Sequence, residues 1–144
     1  MTTLVIDASV AVKWVVQEAG TPEALTLRKA TLLAPDLLVP ECANILWKKH
    51  KLGQLTVAEA SAAAQLLERA DVELAPMRAL FHTATALAIE LDHPAYDCLY
   101  IALALDKGCA FATADQRLLR KVQQGQRRDV ASMILDLQHA AASV

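Results

Sequence analysis

Along the chain the spacing of apolar residues changes repeatedly, and each change marks an element. Leu4-Val5-Ile6 is a short β-branched run ending in Asp7, the pattern of a buried first strand. Residues 8–17 read as a helix. Thr21-Pro22-Glu23 supplies an N-cap, a proline at the first helical position and a first-turn acid, and so starts a second helix toward Leu32. Leu32-Leu33-Ala34 stands before Pro35, which favours extended geometry, and is expected as a strand. A helix then starts at Pro40, with Glu41 in its first turn and Gly53 near its end. Thr56-Val57-Ala58-Glu59 is a capping box opening an Ala-rich helix to about Arg69, and residues 72–75 before Pro76 alternate as a strand. Residues 77–91 carry helical spacing that Asp92-His93-Pro94 breaks, and residues 95–106 form a helix that is apolar nearly all round and therefore central. Residues 109–113 read as a strand, Asp115 opens a helix to about Gln124, a last strand is expected near Val130, and Ser132 to Ala141 reads as a C-terminal helix.

Short strands separated by helical segments too long for hairpins predict an α/β fold, a three-layer sandwich with a short, mainly parallel sheet flanked by helices. Residues 1–144 are expected as a single domain. In open sheets of this class ligands bind beyond the carboxyl ends of the strands. Asp7 follows the first strand and Asp115 the fourth, so both carboxylates belong on that edge.

Composition agrees with a folded helical protein: 55% of residues are hydrophobic, 21% charged and 4% aromatic, which excludes the low-hydropathy signature of disorder. No run approaches the roughly 20 apolar residues that cross a bilayer, and no basic stretch precedes the first apolar run. A soluble, cytoplasmic protein with no membrane association is the expectation. Cys42, Cys98 and Cys109 lack both paired metal spacing and an even disulfide count, so they read as reduced, mostly buried thiols.

The net charge of −2 hides an uneven distribution. Gly53 to Asp106 carries eight acids and two bases, whereas Lys107 to Arg128 carries six bases and only Asp115. Lys48, Lys49 and Lys51 form a second basic knot beside Trp47. Such runs are commonly solvated faces, yet a polyanion needs a cationic track, and a local patch provides one without a basic isoelectric point.

Each acid has a plain structural role open to it. Asp115 and Thr113 are good helix caps, Glu41 and Asp97 lie in first turns where the helix dipole favours negative charge, and Asp7 can cap the helix after it. Two features go beyond capping. Asp97 precedes Cys98-Leu99-Tyr100-Ile101-Ala102-Leu103-Ala104-Leu105, so it sits on a buried helix, and Asp7 leaves a wholly apolar strand. Clustered carboxylates raise one another's pKa unless a cation intervenes, and all-oxygen clusters select hard divalent ions such as Mg²⁺ or Mn²⁺. His50, His82, His93 and His139 are scattered without metal-like spacing and read as surface or capping residues, His93 in a turn.

Four segments, V-I-D-A-S at 5–9, P-E-C-A-N-I-L at 40–46, Y-D-C-L-Y-I-A-L-A at 96–104 and T-A-D-Q-R-L at 113–118, together resemble the PIN-domain ribonucleases, specifically VapC-type toxins of toxin–antitoxin pairs. The likeness covers nearly the whole chain. It implies that Asp7, Glu41, Asp97 and Asp115 are the family's acidic quartet, holding Mg²⁺ with Mn²⁺ as an alternative, and that Ser9, Asn44 and Thr113 support it. Arg117 and Leu118 stand where some relatives place a further acid, a departure that bears on a second metal. The implied activity is hydrolysis of RNA phosphodiesters by metal-activated water, leaving 5′-phosphate and 3′-hydroxyl ends. The implied partners are RNA, a cognate antitoxin and a second copy in a homodimer.

Lys13, Lys48, Lys49, Arg117, Arg120 and Lys121 lie on segments leading away from the expected site and are candidates for RNA backbone contacts. Rival readings are a catalytically silent interaction module of the same fold and a housekeeping RNA-processing nuclease. A receiver-type phosphoacceptor wants an adjacent acidic pair after the first strand, and an acyl-phosphate phosphatase wants D-x-D there; Asp7-Ala8-Ser9 meets neither.

Overall fold

Five short apolar runs pair as one sheet, described here from a computed structural model covering residues 1–144. The strands are β1 (Thr3–Ile6), β2 (Thr31–Pro35), β3 (Glu73–Ala75), β4 (Ala110–Ala112) and β5 (Ile134–Leu135), in the order β3-β2-β1-β4-β5. All four pairings are parallel, with Val5 opposite Leu33 on one side and Phe111 on the other. Because the chain steps from β1 to β2 and β3, then returns to place β4 on the opposite flank of β1, the order reverses beside β1. The crevice at such a reversal opens at the carboxyl ends of the strands.

Helices fill every crossover, as parallel pairing requires. They are α1 (Ala8–Ala11) and α2 (Thr21–Thr26), α3 (Leu38–Lys51) and α4 (Val57–Glu68), α5 (Phe81–Leu91) and α6 (Ala95–Lys107), α7 (Gln116–Gln124) and α8 (Arg128–Met133), with α9 (Leu137–Ala142) last. Helix α6 lies against β1, β2 and β4 and buries Cys98, Tyr100, Ile101, Ala102, Leu103 and Ala104, which is why its sequence has almost no polar face. Tyr100 stacks on Phe111 of β4, ring centroids 5.7 Å apart and planes 8° from parallel. No helix is long and apolar enough to cross a membrane.

Three expectations need correction. The helix over 8–17 is a single turn, α1, followed by a 3-10 turn at Val12–Trp14; Val15-Val16 propagates helix poorly, and the Val16 carbonyl accepts from the Thr21 hydroxyl instead of continuing the helix. The second helix ends at Thr26 and continues only as a 3-10 turn to Lys29; its cap is Gly20 at φ 89°, while Thr21 is buried and donates its hydroxyl to the Val16 carbonyl. The last strand is Ile134–Leu135 and not near Val130, which lies buried in α8, and the final helix starts at Leu137 instead of Ser132. There pairing decides: Ile134 and Leu135 dock on Phe111 and Ala112, and Asp136 caps α9 by accepting from the His139 N–H at 2.8 Å.

Candidate active site

Asp7 directly follows β1 and caps α1, accepting from the Val10 N–H at 3.3 Å. Its side chain is 5% exposed. The Ser9 hydroxyl donates to Oδ1 and the Thr113 hydroxyl to Oδ2, each at 2.5 Å. Both hydroxyls also accept from the backbone beyond β4, Ser9 from the Ala114 N–H and Thr113 from the Asp115 N–H, each at 3.1 Å. Asp7 is thus the knot joining the ends of two adjacent strands. Burial pushes its carboxyl up to about 7, the hydroxyl bonds work against that rise, and the nearby Asp97 charge adds to it.

The other acids arrive on helices. Glu41, in the first turn of α3, accepts from the Tyr100 hydroxyl at 2.5 Å, and burial chiefly holds its carboxyl above the usual range. The same burial, with the Glu41 bond, pushes the Tyr100 hydroxyl far up, so it is a fixed neutral donor. Asp97, in the first turn of α6, meets His93 Nε2 at 2.5 Å through Oδ2. Asp115 caps α7, its Oδ1 accepting from the Arg117 and Leu118 N–H groups at 3.0 and 3.2 Å.

All four carboxylates line one cleft of about 360 Å³. Ser9 and Asn44 line it too, and Thr113 is buried behind Asp7. The donor set is oxygen throughout, which suits a hard divalent cation. No three of the chain's carboxylate, imidazole or thiol groups form a ready-made coordination shell, so the fit rests on the oxygen chemistry of the four acids that line the cleft. Cys42 and Cys98 are buried, their thiols pushed up to about 12 and about 11 by desolvation, which disfavours the thiolate that a nucleophile or ligand needs.

None of the six basic candidates lines the cleft. Lys13 and Lys49 both bind Glu18, at 3.2 and 2.7 Å, and are largely buried. Lys48 is exposed and shares the Glu41 face of α3, seven residues on, while Arg117 and Arg120 are exposed on α7 and Lys121 is partly buried there. Sequence reasoning missed Glu18 as the partner of two lysines, and it missed His93, which holds Asp97 instead of lying idle in a turn. The separation of four residues between His93 and Asp97 was the available signal.

A PIN domain family model matches residues 4–124. Among curated proteins, the VapC ribonuclease Mb0985 of Mycobacterium bovis and the ribonuclease VapC9 of Mycobacterium tuberculosis are each 30% identical over 115 residues, covering 80% of this chain and 87% of theirs. Among solved structures, PAE2754 from Pyrobaculum aerophilum superposes with a TM-score of 0.73 at 22% identity, over 99% of this chain and 96% of its own. Mycobacterium tuberculosis VapC20, a sarcin–ricin loop cleaving toxin, gives 0.58 at 16% identity, over 76% and 86%. At these identities the two structures speak for the fold.

Proposed function

Since the chain belongs to the PIN domain family, with VapC ribonucleases as its relatives, we propose that it is a metal-dependent endoribonuclease and the toxin of a toxin–antitoxin pair. The observation that carries the reading is the cleft itself: four carboxylates meet in it, one of them buried at a strand end and held by two hydroxyls. Pure binding does not call for that arrangement.

Asp7, Glu41, Asp97 and Asp115 would hold Mg²⁺ or Mn²⁺, which when bound supplies charge neutralisation at phosphorus and a more acidic water. The chain's own work is orientation. Ser9 and Thr113 fix both oxygens of Asp7, Tyr100 fixes Oε1 of Glu41, and His93 fixes Oδ2 of Asp97. Oε2 of Glu41, Oδ1 of Asp97 and Oδ2 of Asp115 are left without a protein donor. Attack by water with departure of the 3′ oxygen, the outcome the family likeness implies, leaves 5′-phosphate and 3′-hydroxyl ends, and recovery of 2′,3′-cyclic phosphate would exclude this route.

The partner side of the reading is supported by a second groove of about 470 Å³, where Trp14, Leu38, Leu46, Leu67 and Leu74 form an apolar trough between α3, α4 and β3. An antitoxin helix would bury its apolar face there. A homodimer is expected from the family likeness, and sedimentation velocity of the purified chain checks it.

The deciding experiment is cleavage of labelled structured RNA by wild type and Asp97→Asn, with Mg²⁺, Mn²⁺ or chelator. Metal-dependent cutting that the variant loses supports the proposal. Equal cutting by both proteins, or cutting that persists in chelator, refutes it.

A further inference from the structure

We propose that Tyr96 is a stacking platform for one unpaired nucleobase beside the scissile phosphate, a subsite that rests on the ribonuclease reading above. The acidic floor of the cleft repels an RNA backbone, and no cation of the chain lines it. With no metal bound, affinity at the reacting centre has to come from a contact that does not depend on phosphate charge. The apolar lining of the cleft supplies it: Leu37, Pro40, Ile45 and Tyr96 line the same opening as the acids.

Tyr96 is 65% exposed although it is in the first turn of the most buried helix, immediately before Asp97. The other aromatic rings are accounted for or remote from the site. Tyr100 and Phe111 stack in the core, Trp14 lies under Arg28, Trp47 lies under Lys51, and Phe81 is absent from the cleft lining. Tyr96 has no aromatic or cationic partner, and its hydroxyl makes no hydrogen bond within the chain. An open aromatic face next to a phosphate-handling site is the arrangement that holds single-stranded nucleic acid by base stacking. A base in a duplex has both faces occupied by its neighbours, so the subsite selects a splayed or looped-out nucleotide. The peptide link from Tyr96 to Asp97 ties the position of that base to the carboxylate beside it.

The test compares binding of a short fluorescein-labelled oligoadenylate with that of an otherwise identical abasic strand, by anisotropy in chelator, for wild type, Tyr96→Ala and Tyr96→Phe. Wild type and Tyr96→Phe should prefer the strand with bases by about 5- to 150-fold, the range for one stacked base, and Tyr96→Ala should lose that preference while keeping its melting temperature. With Mg²⁺, Tyr96→Ala should raise KM more than it lowers kcat. A wild type that binds both strands alike, or a Tyr96→Ala variant that retains the preference, overturns the inference. Metal-dependent cleavage without base preference sinks this proposal alone, and base preference without cleavage sinks only the catalytic reading.

Discussion

The Asp7 carboxyl is desolvated and lies near the Asp97 charge, and both push its pKa up. Its folded pKa of about 7 lies above the ordinary 3.8, so the folded state binds the proton more tightly than the unfolded state does. That contribution is fully present below the unfolded value and is lost as pH rises through the folded one. In chelator, wild type should therefore lose stability between about pH 4 and about pH 7, on the order of a few kcal/mol, while Asp7→Asn shows a flatter profile. Thermal unfolding across that range checks this, and parallel profiles would sink it. At the upper end, Mn²⁺ should raise the melting temperature of wild type and leave Asp7→Asn unmoved. Tyr100→Phe removes the only protein donor to Glu41; about 1 kcal/mol of stability should go with it. Calorimetric Mn²⁺ titration should show weaker binding in that variant.

Helix α3 presents the acid and the cationic track on one element. Glu41, Asn44 and Lys48 fall on a common face, whereas Lys49 is turned toward Glu18 and already paired. Lys48→Ala should reduce the salt slope of RNA binding by about 0.7 to 0.9, the amount for one phosphate contact, and Lys49→Ala should change it less. Equal effects from the two substitutions would mean that RNA displaces Glu18 from Lys49. Helix α6 shows how an element end is fixed for geometry alone. Gly108 ends it at φ 64° with open space around the position a Cβ would take, so Gly108→Ala should cost only backbone strain, roughly 1 kcal/mol by urea denaturation.

At the scale of the molecule, the order β3-β2-β1-β4-β5 puts the ends of β1 and β4 side by side, and two helices crossing above them add Glu41 and Asp97. Phe111 links the core to the site, since β4 pairs with β1 through it and Tyr100 stacks on it. Phe111→Ala should cost about 3–5 kcal/mol in urea unfolding, and cleavage should fall below what the loss of folded protein accounts for. A variant that stays fully active per folded molecule would show that the stack on Tyr100 does not transmit to Glu41.

Much of this architecture was legible in one dimension because local chemistry and burial agree. The apolar run at β1, the capping box at Thr56 and Glu59, and the all-apolar α6 each read correctly from residue type and spacing. The four acids were legible for the same reason: each sits where a strand ends or a helix begins, positions that sequence marks with caps and breaks. The partners of Glu41 and Asp97 were not. His93 on Asp97, Tyr100 on Glu41, and Glu18 between Lys13 and Lys49 depend on which faces meet. Val130 went into a helix and Ile134 into the sheet because pairing with Phe111 outweighs β propensity. Sequence alone determined the fold class and the chemical type of the cleft, through periodicity and the cost of burying charge. Tertiary structure decided which oxygens of Glu41, Asp97 and Asp115 stay free, which lysine stays unpaired and which aromatic ring stays open, because those follow from packing between elements distant along the chain.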